Sequence, residues 1–260
     1  MVQHKSQVLA IIGFLLFFFV LLFGFPTKPK DLLIKERSRS LNLQATDISI
    51  LKNEAFQDLS NSERSRMQIL ESQVDDLDSV DSKNILIELS REWYALGQYA
   101  IAGHYAEQIA IEDESAESWG IAGTTFAIGI KQSQKEKERA YCKVKSLECL
   151  ENAISLDPQN ISYQLNRGIV YAEHPDKDNP MKGIMILLDL NKNFPKNVSV
   201  INNLAKFALQ TGQVDRAKER IETALSLEPE NKMSNCLMVE LLTSTGSDSQ
   251  VDEFRRKCEN

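Results

Sequence analysis

One short segment nearly repeats itself, and this constrains the fold more than any other feature of the chain. Ala153-Ile-Ser-Leu-Asp-Pro158-Gln-Asn and Ala224-Leu-Ser-Leu-Glu-Pro229-Glu-Asn are close copies, and Leu190-Asn-Lys-Asn-Phe-Pro195-Lys-Asn keeps their spacing. Each reads as a helix end closed by a proline, which lacks the amide hydrogen that would continue the helix. Around these segments, from Ser82 to Cys258, the pattern returns about every 34 residues. Such a period predicts stacked helical units that bury their apolar faces against one another.

The clearest unit runs from Val198 to Asn231. Its first helix carries Asn203-Leu204-Ala205 and Ala208, a turn falls at Thr211-Gly212, and the second helix presents Ala217, Ile221 and Ala224 before Pro229. Spacings of three and four put these small and apolar residues on one stripe, where two helices can approach closely. The preceding unit has Asn166-Arg167-Gly168, Tyr171, Gly183, Leu187, Leu190 and Pro195, with a longer turn from Glu173 to Pro180. Before it come Trp119, Gly123, Phe126, Leu150, Ala153 and Pro158. The first unit offers Trp93, Gly97-Gln98-Tyr99, Ala102 and Ile109, but has Glu114 where the proline is expected. These residues resemble the tetratricopeptide-repeat family. The resemblance implies an all-α chain whose array, residues 82–258, is an α-solenoid of helix-turn-helix repeats curving into a right-handed superhelix. Its units are 83–115, 116–159, 160–197, 198–231 and a degenerate capping repeat at 232–258, marked by Met238, Leu242, Gly246 and Val251.

The mid-helix positions Ser90, Gly123, Gly168, Ala205 and Val239 lie at intervals of 33, 45, 37 and 34 residues. The long interval predicts an insertion around Ile130 to Ser146, shared between two lengthened helices. Lys131, Lys135, Lys137, Arg139, Lys143 and Lys145 gather there against Glu136 and Glu138, in a chain of net charge −7. They form either a basic knob for an acidic partner or lipid headgroups, or a solvated hairpin tip.

After a tail of residues 1–7, Val8 to Phe25 is eighteen residues without a charge, fifteen of them Val, Leu, Ile or Phe. As a helix it would be about 27 Å long, close to the hydrocarbon thickness. Its apolar side chains favour insertion by roughly 5–9 kcal/mol. The run ends Phe-Gly-Phe-Pro, without the small-residue site of a cleaved signal, and predicts a single transmembrane helix. Lys5 precedes it, whereas Lys28, Lys30, Lys35, Arg37 and Arg39 follow. By the positive-inside rule the array is cytoplasmic. Cys142, Cys149, Cys236 and Cys258 show no disulfide-framework spacing, in keeping with a reducing compartment. A linker, 26–45, leads to a helical pair at 46–81 that is either a cap or a divergent repeat. Ser60 with Glu63 predicts a capping box for its second helix, and Asp75 to Asp81 a solvated acidic turn.

Little in the chain points to chemistry. His4, His104 and His174 are the three histidines, and there is no metal-ligand spacing, Cys-x-x-Cys pair or phosphate loop. No catalytic residue, cofactor, metal or nucleic-acid partner is expected. Gly120, Gly123 and Gly129 read as helix-packing positions. The remaining surface is the groove implied by the resemblance, with candidates Arg91, Thr124, Asn166, Ile169, Asn202, Asn203 and Lys206. Asn166 and Asn203 either bond the backbone of an extended peptide or satisfy neighbouring helix groups. Ile87, Ile121 and Ser162 stand where a carboxylate-clamping member of the family would need charged or amide groups, which argues against chaperone tails as ligands. The organisation resembles single-pass, repeat-bearing proteins of the bacterial inner membrane. A membrane-tethered scaffold for a protein or peptide partner is the leading expectation. The alternatives are an envelope or translocon-associated periplasmic chaperone and a regulatory subunit of an enzyme complex.

Overall fold

The repeat predicts paired helices, and paired helices are what the chain forms. The computed structural model describes residues 47–74, 79–246 and 251–259. The expected membrane helix at Val8–Phe25 and the linker at 26–45 lie outside them. Among the described residues no helix is long and apolar enough to cross a membrane. The helices are α1 (Ile48–Asp58), α2 (Asn61–Val74), α3 (Ser79–Ala95), α4 (Tyr99–Asp113), α5 (Ala116–Gln132), α6 (Glu136–Leu156), α7 (Ile161–Glu173), α8 (Lys182–Asn193), α9 (Val198–Gln210), α10 (Val214–Leu227), α11 (Lys232–Thr245) and α12 (Val251–Glu259). Successive helices pack against each other from α2 to α12, which makes an all-helical solenoid.

The start of α2 is the predicted capping box. The Ser60 N–H donates to Glu63 Oε2 at 2.9 Å, and the Glu63 N–H donates back to Ser60 Oγ at 3.4 Å. Of the expected acidic turn, residues 75–78 lie outside the described set, while Ser79 onward is already helical.

The near-copied segments do more than stop helices. Two residues after each proline, an asparagine caps the next helix: Asn160, Asn197 and Asn231 accept from the N–H groups of Ser162, Val200 and Ser234, each at 3.1 Å. The proline ends one helix and the asparagine satisfies an orphan donor of the next. Within hairpins the turn is made by glycine. Gly97 and Gly212 have φ of 73° and 70°, and the following amides, Gln98 and Gln213, bond back to Trp93 and Ala208.

Where the first unit lacks proline, Glu114 takes φ 49° and ends α4 in a left-handed conformation, and Ser115 caps α5. A side chain there is strained. Glu114→Gly should therefore stabilise the chain by about 0.5–1 kcal/mol, read as a higher urea midpoint.

The insertion lies in the α5–α6 hairpin, whose helices have 17 and 21 residues, against 12 to 14 for α7 to α10. Gly120, Gly123 and Gly129 are packing positions: a β-carbon on them would meet Tyr163, Leu150 and Cys142 respectively. Ser146, fully buried, donates to the Gly123 carbonyl at 2.7 Å. Further along, Ala205, Ala208, Ala217, Ile221, Leu237, Met238 and Leu241 form the seam of α9, α10 and α11, with Phe254 of α12 against it. Ala224 packs on Val198 and Ile201 with no exposed surface. Ala224→Phe should overfill that contact and cost about 1–3 kcal/mol. An unchanged melting temperature would refute the packing.

The C-terminal unit contains α11 and α12, and a disulfide between Cys236 and Cys258 fastens α12 to α11. Spacing alone did not reveal this, because 22 residues separate the two cysteines and only the return of α12 brings them together. Cys142 and Cys149 are free and buried on α6, and burial raises both thiols far above the usual range.

Candidate functional site

The first helices of consecutive units present parallel stripes. On α7 the stripe is Ser162, Asn166, Ile169 and Glu173; on α9 it is Ser199, Asn203, Lys206 and Gln210. Both run at i, i+4, i+7 and i+11, the spacing that keeps side chains on one helical face. On α5, Ile121, Thr124, Ile128 and Lys131 make the neighbouring stripe, with Ile121 54% exposed.

The structure divides the groove candidates. Arg91 is exposed on α3, and Asn166 is half-buried with no side-chain hydrogen bond to the described residues. Lys206 is partly exposed and pairs with Glu173 of α7 at 2.6 Å. Asn202 is a correction: it is 1% exposed, and its amide group bonds Asn231 and Ser234 at 3.1 and 2.9 Å. It joins α9 to the cap of α11 and has no face left for a ligand. Asn203 is also buried and donates to the Ser199 carbonyl within its own helix. Thr124 bonds back to the Gly120 carbonyl, and Ile169 packs against the Leu165 cluster. For polar side chains at helical positions, i−4 back-bonding competes with ligand contact.

The six cations of the insertion are likewise divided. Lys135 pairs with Glu54 of α1 at 2.6 Å, Lys143 with Asp176 at 2.8 Å, and Lys145 with Glu107 of α4 at 3.0 Å. As a basic knob the set is half neutralised: three of its members tie the long hairpin to elements around it. Lys131, Lys137 and Arg139 have no carboxylate partner among the described residues.

Lys131 and Arg139 share a lining with Lys206. They line a cleft of about 630 Å³ at the ends of α5, α7 and α9, with Ile130, Ser133, Gln134, Ala172, Glu173, His174 and Gln210. In the sequence Lys206 belongs to one set and Lys131 and Arg139 to another, yet stacking three units brings them to one place. The Arg139 guanidinium donates to the Ser133 carbonyl at 3.2 Å, which positions it across the α5–α6 turn. Burial holds the His174 imidazole below its ordinary value, and the nearby cations Lys143 and Arg139 act in the same sense against Glu173. His174 is therefore neutral near pH 7. The charge of the cleft comes from Lys131, Arg139 and Lys206 against Glu173.

No family model and no curated protein matches the sequence. Among solved structures the chain is similar to TTC0263, a thermophilic TPR protein of Thermus thermophilus. Identity is 17%, the TM-score is 0.51, and the match covers 70% of this chain and 90% of that one. The fold is a tetratricopeptide-repeat array. Two MamA structures are also similar. One matches at 14% identity over 68% of this chain and 89% of that one, with a TM-score of 0.43. The other, from Desulfovibrio magneticus RS-1, matches at 13% over 68% and 93%, with a TM-score of 0.44. Likenesses below 0.5 are too loose to locate a site. In the tetratricopeptide-repeat array described here, no group of three or more His, Cys, Asp or Glu among the described residues is arranged to hold a metal ion.

Proposed function

We propose that this chain is a non-enzymatic, membrane-tethered scaffold that holds a protein or peptide partner on the first-helix face of its repeats. The observation that carries the reading is the pair of register-matched stripes on α7 and α9. Asn166 on one has no side-chain hydrogen bond to the described residues, and Lys206 on the other lines the cleft. Tethering rests on the uncharged run Val8–Phe25. An anchor confines array and partner to one surface, so that a modest affinity suffices through effective concentration.

A photo-crosslinking residue at Asn166 in the full-length chain, compared with one at Glu222 on α10, tests this. Adducts to a discrete protein are expected from position 166 and not from 222. Equal labelling, or none, would refute the scaffold reading. Removing residues 1–25 should release the array from sedimented membranes.

A second reading concerns the side of the membrane. The flanking lysines and arginines favour a cytoplasmic array, but Cys236–Cys258 favours an oxidising compartment. This supports the periplasmic alternative, an envelope-facing scaffold or chaperone. Because Cys142 and Cys149 are buried, alkylation of the folded chain reports on Cys236 and Cys258 alone. Membranes prepared under native conditions in the presence of the alkylating agent should show both blocked if the array faces the oxidising side. Two reactive thiols would return it to the cytoplasm.

A further inference from the structure

We propose that the cleft between the ends of α5, α7 and α9 receives an acidic segment of the partner polypeptide. This rests on the scaffold reading and names the chemistry of what it holds. Lys131 and Arg139 have no carboxylate partner among the described residues, and both face the cleft that Lys206 enters from α9. Two cations without carboxylate partners among the described residues, lining one concavity, attract a carboxylate more strongly than separate surface lysines do, because their fields add. Arg139 already spends one N–H on the Ser133 carbonyl, which orients its remaining donors; a planar guanidinium suits a carboxylate. The side-chain amides of Gln134 and Gln210 supply the neutral donors and acceptors that a peptide backbone requires. The concavity, about 630 Å³, has room for an acidic side chain.

Charge also argues against a lipid surface as the occupant. A bilayer is flat and rewards many cations spread over one face. Here Lys135, Lys143 and Lys145, which would widen such a face, are neutralised by Glu54, Asp176 and Glu107. A local cationic recess in an acidic protein suits an inserted acidic side chain.

The test uses the full-length chain in neutral detergent micelles and a fluorescent hexaglutamate peptide, followed by anisotropy. Saturable binding is expected. It should weaken by about tenfold or more in Lys131→Glu/Arg139→Glu, and in wild type on raising salt from about 0.1 to 0.5 M. Lys192→Glu/Lys196→Glu, which changes the same number of charges away from the cleft, should leave it within about twofold. If the double variant fails to fold, Lys131→Gln serves instead, since Lys131 makes no side-chain bond to the described residues that must be replaced. No binding, or equal loss in both pairs, overturns the proposal. So does cleft-dependent capture of phosphatidylserine vesicles, but not hexaglutamate, by the chain in nanodiscs. Should the position-166 crosslinks form while hexaglutamate fails, the scaffold survives and only its acidic specificity falls.

Discussion

Trp93→Ala is expected to cost about 3–5 kcal/mol of stability, the largest effect of any single substitution considered. Trp93 lies on α3 with no exposed surface, and Phe56 of α1 meets its ring edge-on at 5.3 Å. Truncation would leave a void where α1 closes the N-terminal end of the array, and the first units would loosen. Chemical denaturation should show a lower midpoint, and the amides of α1 should exchange faster. Trp93→Phe separates volume from polarity. The buried Nε1 has no hydrogen-bond partner among the described residues, and an unsatisfied donor costs about 1–3 kcal/mol. Removing it offsets part of the lost packing, so Phe should cost far less than Ala. Equal losses would mean that the indole N–H is satisfied after all.

Gly183→Ala is the second. A single methyl there would sit 2.1 Å from the Ala172 backbone nitrogen and 2.6 Å from the Gly168 carbonyl oxygen. At Gly103, Gly120, Gly123, Gly129 and Gly168 the nearest atom to an added β-carbon belongs to a side chain, as at Gly103 against the Phe126 ring. At Gly183 it meets main chain, which cannot rotate away, so α7 and α8 must part along their contact. The expected cost is about 2–3 kcal/mol, or a fall in melting temperature of roughly 4–12 °C at about 2–4 °C per kcal/mol. Ala is the better helix former by about 1 kcal/mol, so a rise in stability would show that the two helices are not in contact here. Because α7 carries Asn166 and its end reaches the cleft, the same substitution should weaken partner capture.

The helices follow from local rules, and local rules can be read in order along a chain. Proline stops, glycine turns at Gly97 and Gly212, and the Ser60–Glu63 capping box all act within a few residues. The asparagine caps were equally local and present in the quoted segments. The signal that would have exposed them is their place, two residues past each proline. The same holds for the extra length of the α5–α6 hairpin, which a break in the period announced.

What a polar side chain does once units stack is a different matter. Asn202 and Asn203 are neighbours on a helix and look interchangeable, yet one bridges to α11 and the other bonds its own helix. Lys135, Lys143 and Lys145 found carboxylates 81, 33 and 38 residues away. By itself the sequence determined the repeat, the paired helices and the small residues where they touch, because 3.6-residue periodicity and turn chemistry are properties of the chain. Only the tertiary structure decided that Cys236 meets Cys258, that half the basic knob is neutralised, and that Lys131, Arg139 and Lys206 share one recess. Those depend on distances across units, and distances between residues remote in the chain exist only once the hairpins have packed.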